Sequence, residues 1–429
     1  VAASQRGRLI EAMVALAGEQ GFAATTVADV IERAGVSRKT FYEHFSDCRD
    51  LLLAAFQTAA PAGLEQARAA AARSGGSTRQ LESMMRRLCR FAHENPGAIA
   101  IATIDIAAAP EQGIPAREEL MQAYGELIDS CLGAKQRPAL TPTLARALAG
   151  GTHRTIDAHL RAGRTRELPD LALQLARWVR SHHPLPAALR RRQRASPAPW
   201  PWAGSPDGLL GGRAPGTLML APAGYEAHIG RGSAGFVQHT NRERILDAVA
   251  HLVAERGYTE LTATAIAERA DLSERAFLAH FKSSEEAFAA AVELGHVKGE
   301  AIVQRARAGI RGWGASVSAA VQALVEFLAS EPCFTRLAFL DAPLAGVAMA
   351  QQTHEHVCAY ARLLFDGAPQ RRRPPLIAPE AIVHALVELG FHHAAHDTVA
   401  GLRETSREIA YLALAPFVGV TEAASAAVA

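Results

Sequence analysis

The sequence has no paired cysteines. Its five (Cys48, Cys89, Cys131, Cys333 and Cys358) stand far apart, without C-x-x-C or zinc-ligand spacing. That argues against a disulfide framework and for reduced thiols. A long apolar run is also missing. The longest, AIAIATIDIAAA at 98–109, is too short for a bilayer and contains Asp105. The first residues show no signal-peptide pattern. Together these absences predict a cytoplasmic protein with no membrane partner. Charge of one sign is scarce: 45 Lys and Arg stand against 43 Asp and Glu, a net +2. No global basic field announces a nucleic-acid partner, so any such partner must meet a local patch.

Chemistry-bearing motifs are missing as well. No serine sits in a G-x-S-x-G elbow. GLLGGRAPG at 208–216 lacks the Lys-Ser/Thr of a phosphate loop. His392 and His396 lie one helical turn apart, with His393 beside them, but no Asp, Glu or Cys is placed in sequence to complete a metal set obviously, and the three read as surface or bundle histidines. No catalytic residue, cofactor or metal site is predicted.

What is present is a repeat. GVSRKTFYEHF at 35–45 returns as DLSERAFLAHF at 271–281, an offset of 281 − 45 = 236. The same offset aligns Arg6 with Arg242, Leu16 with Leu252, Gly21 with Gly257 and Thr26 with Thr262. It still aligns Leu88, Phe91 and Pro96 with Leu324, Phe327 and Pro332. The repeated unit is therefore a whole domain pair. Between the copies, 184–238 is rich in Pro, Gly and Arg and reads as a linker. Its Arg run at 190–194 reads as a solvated cluster, and its Pro-Trp pairs at 199–202 as spacer rather than a recognition segment.

Elsewhere apolar residues recur with helical spacing at 6–20, 79–92, 117–132, 143–161 and 170–182. The second copy follows at 242–256, 285–307, 317–329, 352–365, 379–396 and 404–418. No segment alternates with period two long enough for a strand. The fold is predicted to be all-α.

Residues 6–56 can be read from local physics. Leu9, Ala12, Met13 and Leu16 line one face of a helix that Gly21 ends. Thr26 and Asp29 have capping-box spacing, Gly35 supplies a turn, and Ser37 caps a short helix at 38–44. Two short helices joined through a glycine turn form a helix-turn-helix. Val27, Val30, Ile31, Val36, Phe41 and Phe45 have the spacing of a shared core. Outward lie Arg38, Lys39, Thr40, Tyr42 and His44, cations and hydroxyls suited to base edges and phosphates.

This segment resembles the DNA-binding domain of the tetracycline-repressor (TetR) family of bacterial transcription regulators. GVSRKTFYEHF fits the family's core pattern, as does GFAATTVADVIERA upstream. The resemblance implies that Thr26 and Ser37 cap helices and touch phosphate. It implies that Arg38, Lys39 and Thr40 face the groove, while Tyr42 and His44 grip phosphates. It further implies a double-stranded DNA operator, a small-molecule effector of unknown identity, and dimerisation through paired C-terminal helices.

The second copy resembles the same domain less closely. Ile245, Leu252, Tyr258, Ile266, Leu272, Phe277 and Phe281 keep the interior, and Asp271 replaces the turn glycine. Glu274, Ala276 and Leu278 replace Arg38, Thr40 and Tyr42, while Arg275, His280 and Lys282 remain. Six Lys/Arg against seven Asp/Glu in 6–56 become six against nine in 242–288. The second head therefore reads as a weakened DNA contact, with a changed sequence preference as the alternative.

The expected organisation is a helix-turn-helix head at 1–50, a helical body at 51–183, the linker at 184–238, a divergent head at 239–288 and a second body at 289–420. An effector pocket is expected among Met84, Phe91, Ile104, Tyr124 and His153 of copy 1. A linker of 55 residues spans ~40 Å if flexible, enough for the copies to pair as an intramolecular pseudo-dimer. A homodimer with four heads is the rival arrangement. A scaffold or small-molecule-binding protein whose heads no longer read DNA is the alternative function.

Overall fold

Ser4 accepts a hydrogen bond from Gly7 N–H and starts the first helix, α1 (Gln5–Gln20), which Gly21 ends at φ +78°. The computed structural model describes residues 4–133, 140–187, 189, 234–370 and 372–427. Most of the expected linker, with its Arg run, Pro-Trp pairs and GLLGGRAPG, lies outside the described residues. Among the described residues there is no strand.

In copy 1, α2 (Val27–Ala34) starts at the Thr26–Asp29 capping box and stops at Gly35, whose φ is +61°. Ser37 then caps α3 (Arg38–His44) by accepting from Thr40 N–H. α4 (Cys48–Ala72) is one helix of 25 residues, capped by Asp47, and it carries the chain straight from head into body. The body continues with α5 (Ser77–Glu94), α6 (Pro96–Thr103), α7 (Pro110–Cys131), α8 (Pro142–Arg161) and α9 (Leu168–Arg180).

Copy 2 repeats the order. Its head comprises α10 (Ala234–Arg256), α11 (Ala263–Arg269) and α12 (Glu274–Leu278). Its body comprises α13 (Ser284–Arg307), α14 (Trp313–Ser330), α15 (Pro332–Arg336), α16 (Val347–Phe365), α17 (Ala378–Ala395), α18 (Leu402–Val418) and α19 (Val420–Ala426). Asp271 takes the place of Gly35 with φ +53°, a left-handed backbone that Asp tolerates.

Head and body meet at one buried carboxylate in each copy. Asp105, just after α6, accepts from the backbone N–H of Phe22. Asp341 accepts from Tyr258 N–H at 3.2 Å, and the pairs differ by the repeat offset (341 − 105 = 258 − 22 = 236). Burial pushes both carboxyls up to about 6.

The two bodies pack against each other chiefly through α8 and α17, with α9 and α18 beside them. The seam is polar at its centre. Arg117 is fully buried, donates to both oxygens of Glu388 at 2.9 and 2.6 Å, and donates from Nε to Thr103 O. Arg154 adds a third donor to Glu388 at 3.0 Å. Burial would raise the Glu388 carboxyl, but the two guanidinium groups overcome it and hold it at about 2. Around this cluster His182 reaches Leu412 O at 3.0 Å, and Tyr411 donates to His182 O at 2.7 Å.

Candidate nucleic-acid interface

The two heads share a scaffold down to its polar pins. Arg33 pairs with Glu19 in copy 1, and Arg269 pairs with Glu255 in copy 2. Arg8 donates to Gly35 O at 3.4 Å, and Arg244 donates to Asp271 O at 3.0 Å. Arg6 lies over the Phe45 ring and Arg242 over the Phe281 ring. These six arginines hold helices together, so the charge count of either head overstates what is left for a partner.

What remains outward differs. On α3, Arg38, Lys39, Tyr42 and His44 are exposed, and Tyr42 keeps 54% of its surface open. A large aromatic left that open on a capped helix has no role in the head's own core. Glu43 is the helix's one carboxylate, and it stands 3.7 Å from Lys39. Such an exposed pair contributes little and yields readily to a phosphate. Ser37 Oγ and Thr40 Oγ1 lie 2.9 Å apart, so one of the two hydroxyl protons is shared between them and the other is free. Thr26 is more committed: its hydroxyl donates to Asp29 at 2.7 Å within the capping box.

On α12 the same positions read otherwise. The helix spans five residues against seven for α3. Glu274, in its first turn, puts a carboxylate where α3 has Arg38. Leu278 is 53% exposed in the place of Tyr42. Arg275 and Lys282 stay exposed, but His280 is half-buried and past the helix end. Lys282 donates its backbone N–H to Glu286 at 2.6 Å, as Ser46 does to Asp50 at 3.0 Å in copy 1, so that carboxylate is common to both heads.

The five expected pocket residues lie in the body of copy 1. Met84, Phe91, Tyr124 and His153 are buried, and Ile104 is half-buried. The Tyr124 and His153 rings meet edge-on at 4.2 Å, and Phe91 and the Tyr124 hydroxyl both close on Gly63. Burial holds the His153 imidazole down at about 4. A cavity of about 50 Å³ lies in copy 2, lined by His296, Leu324, Phe334, Val357, Tyr360 and Val387 among others. Two of these, Leu324 and Tyr360, are the repeat partners of Leu88 and Tyr124 (324 − 88 = 360 − 124 = 236). The His296 and His356 rings stack in its wall at 3.8 Å.

Nothing in the sequence shows what meets the C-terminal histidines. Glu118, from the other copy, accepts from His392 at 2.7 Å and also pairs with Arg146 at 2.5 Å. Among the described residues no single helix is long and apolar enough to cross a membrane.

Two helix-turn-helix heads on two paired helical bodies define a tandem DNA-binding regulator fold. The family model for bacterial regulatory proteins of the tetR family matches residues 9–55 and again 245–291. The chain thus carries two TetR-like copies in tandem. No curated protein matches the chain by sequence. Several solved structures resemble it. The transcriptional regulator FadR from Bacillus subtilis in complex with stearoyl-CoA is 16% identical, with a TM-score of 0.35 over 40% of this chain and 96% of that one. The TetR family regulator PfmR from Thermus thermophilus is 19% identical, with a TM-score of 0.34 over 42% and 96%. A TetR family regulator from Marinobacter aquaeolei is 19% identical, with a TM-score of 0.32 over 40% and 94%.

Proposed function

We propose that the chain is a ligand-responsive DNA-binding transcription regulator, a repressor by family default, that acts as an intramolecular pseudo-dimer with unequal heads. The observation that carries this reading is α3 itself. A capped helix holds Arg38, Lys39, Tyr42 and His44 in solvent, while its twin shows Glu274 and Leu278 in the first and third of those places. Copy 1 supplies the main grip on the operator, with Thr26, Ser37 and Thr40 near its phosphates. Copy 2 supplies the pairing surface and a weaker contact through Arg275, His280 and Lys282.

The pairing of unlike copies is favoured by the buried cluster at the seam. Arg117 and Arg154 come from copy 1 and Glu388 from copy 2, so the charges cancel only between unlike copies. Sedimentation at the mass of one chain, 45.6 kDa, supports the intramolecular form; twice that mass means a homodimer with four heads.

The effector site is assigned to the cavity of copy 2, with the Tyr124–His153 region as its counterpart in copy 1. Its free space is far below the few hundred Å³ of a formed ligand pocket. Effector entry therefore has to part the helices around it, and that movement is what the heads would sense. The expected ligand is apolar along most of its length, with a polar end toward His296, His356 and Tyr360.

Selection of duplexes from a random pool by the full chain, followed by sequencing, tests the function. An enriched, asymmetric site is expected. Failure to enrich any duplex overturns the reading and leaves a scaffold whose heads no longer read DNA.

A further inference from the structure

The seam between the copies has two corners that are related by the repeat. In one, Glu118 on α7 faces Arg146 on α8, with His392 of α17 and His396 just past its end alongside. The other is built from the repeat partners of that first pair. His354 on α16 takes the place of Glu118 (354 − 118 = 236). Glu380 on α17 takes the place of Arg146, counted from the left-handed residues Gly163 and Asp397 that end α8 and α17 (397 − 163 = 380 − 146 = 234). A carboxylate facing a guanidinium in the first corner becomes an imidazole facing a carboxylate in the second.

The chemistry of the corners diverges accordingly. Glu118 is already met by Arg146 and by His392, so a cation would have to displace a guanidinium. In the second corner the ligand atoms of His354, Glu380 and His384 lie within 4.8 Å of one another. Glu380 Oε1 and His354 Nδ1 are buried without a hydrogen-bond partner. The other ring nitrogen of His354 faces Cys358 Sγ at 3.7 Å.

His384 is 6% exposed and its tautomer is set by the other copy. Thr155 spends its hydroxyl proton on Gly151 O at 2.7 Å, so it accepts from His384 Nδ1 at 3.0 Å. The lone pair of His384 is thereby left on Nε2. A histidine whose far nitrogen is held by a neighbouring acceptor is the usual arrangement behind a metal ligand. The competing cation is Arg164, at 3.7 Å from Glu380 and also 3.9 Å from Glu167. His159 stands 4.0 Å from Glu380, but its Nδ1 donates to Thr155 O.

We propose that His354, Glu380 and His384 form a binding site for a divalent transition ion of the zinc class, oriented by Thr155 across the seam. Two imidazoles and one carboxylate suit zinc and its neighbours, and suit neither magnesium nor calcium. Ligand atoms around a tetrahedral zinc sit about 3.4 Å apart for bonds near 2.0–2.1 Å, so the three side chains close inward on binding. The ion fixes α16 to α17, and α17 to α8 through Thr155. It thus stabilises the paired form of the two bodies by mass action.

The test is zinc binding by the full chain, read by competition with a chromophoric chelator and by metal analysis after dialysis. One zinc per chain is expected, with a rise in Tm that depends on zinc concentration. His354→Ala and Glu380→Gln, each checked for native circular dichroism, are expected to weaken binding at least tenfold. Arg164→Ala, which removes the competing guanidinium, binds at least as tightly as the parent, and His392→Ala in the first corner leaves binding unchanged. Absence of bound zinc in the parent chain overturns the site. So does zinc retained equally by a folded His354→Ala or Glu380→Gln chain, or lost with His392→Ala.

Discussion

Arg154 Nε lies 3.0 Å from Glu388 Oε2, and the two residues hold the same place in their two copies. Each lies nine residues before the left-handed residue that ends its helix (163 − 154 = 397 − 388 = 9). A symmetric dimer of either copy would set like against like at that place, two guanidinium groups or two carboxylates, in a buried seam. Duplication removes that constraint, because each half can then take its own charge. Glu388→Ala leaves Arg117 and Arg154 buried without a counter-charge, and a loss of about 3–5 kcal/mol is expected. Replacing all three together by Met or Leu should cost far less, since no stranded charge remains. Urea unfolding followed by circular dichroism measures both. A cost below about 1 kcal/mol for Glu388→Ala would mean the cluster does not hold the copies together.

The unequal heads predict unequal mutations. Arg38→Ala is expected to weaken operator binding by about 1–3 kcal/mol, and Lys39→Ala to flatten the salt dependence by about one unit of log–log slope. Arg275→Ala should change affinity by less than about 0.5 kcal/mol, the range of an ordinary surface substitution. Mobility-shift titrations at several salt concentrations give all three numbers. Equal losses at Arg38 and Arg275 would contradict the asymmetry.

The heads were legible because their determinants are local. Thr26, Asp29, Gly35 and Ser37 act within four residues of themselves, and Phe41 and Phe45 repeat as Phe277 and Phe281. Even the left-handed backbone at Asp271 follows from the residue type. α4 was harder to see, since its alanines and Pro61 blur any apolar stripe. The resemblance implied pairing through the C-terminal helices, and α8, α9, α17 and α18 do meet at the seam, but its polar pairs were not legible. Arg117 and Glu388 stand 271 residues apart, and Thr155 and His384 stand 229 apart. No periodicity links such residues, and the histidines of α17 could be read for metal only once the partners facing them were known.

Gly97 sits so close to α1 that a Cβ there would lie 1.7 Å from Val14 O, while a Cβ on Gly18 would lie 2.8 Å from Gly97 N. The repeat partners are Cys333 and Ala254, so copy 2 does without this glycine-on-glycine contact (333 − 97 = 254 − 18 = 236). Gly97→Ala forces α6 away from α1, at a cost of about 1–3 kcal/mol typical of overpacking. Because α1 belongs to the head that holds α3, operator affinity should fall as well. A lowered urea midpoint together with weaker mobility shift is the expected pair of results. An unchanged midpoint would show that the helices stand further apart.

Asp105 ties the first body to its head from a buried position, with its carboxyl raised to about 6 by burial and by Asp157, against Arg161. A carboxyl raised in the folded state holds its proton more tightly there than in the unfolded chain. Its contribution to stability is therefore fully present below the ordinary carboxylate range and is lost as pH rises through about 6. Asp105→Asn keeps an oxygen to accept from Phe22 N–H and removes the titration. Relative to the parent, the Asn chain should gain about 1 kcal/mol between pH 5 and pH 8, the difference expected for a shift of this size over that window. Urea unfolding of both chains at the two pH values measures it, and the parallel substitution Asp341→Asn should behave alike, since its carboxyl is also raised to about 6. A gap between parent and variant that does not change with pH would place Asp105 in contact with water rather than at a buried head–body joint.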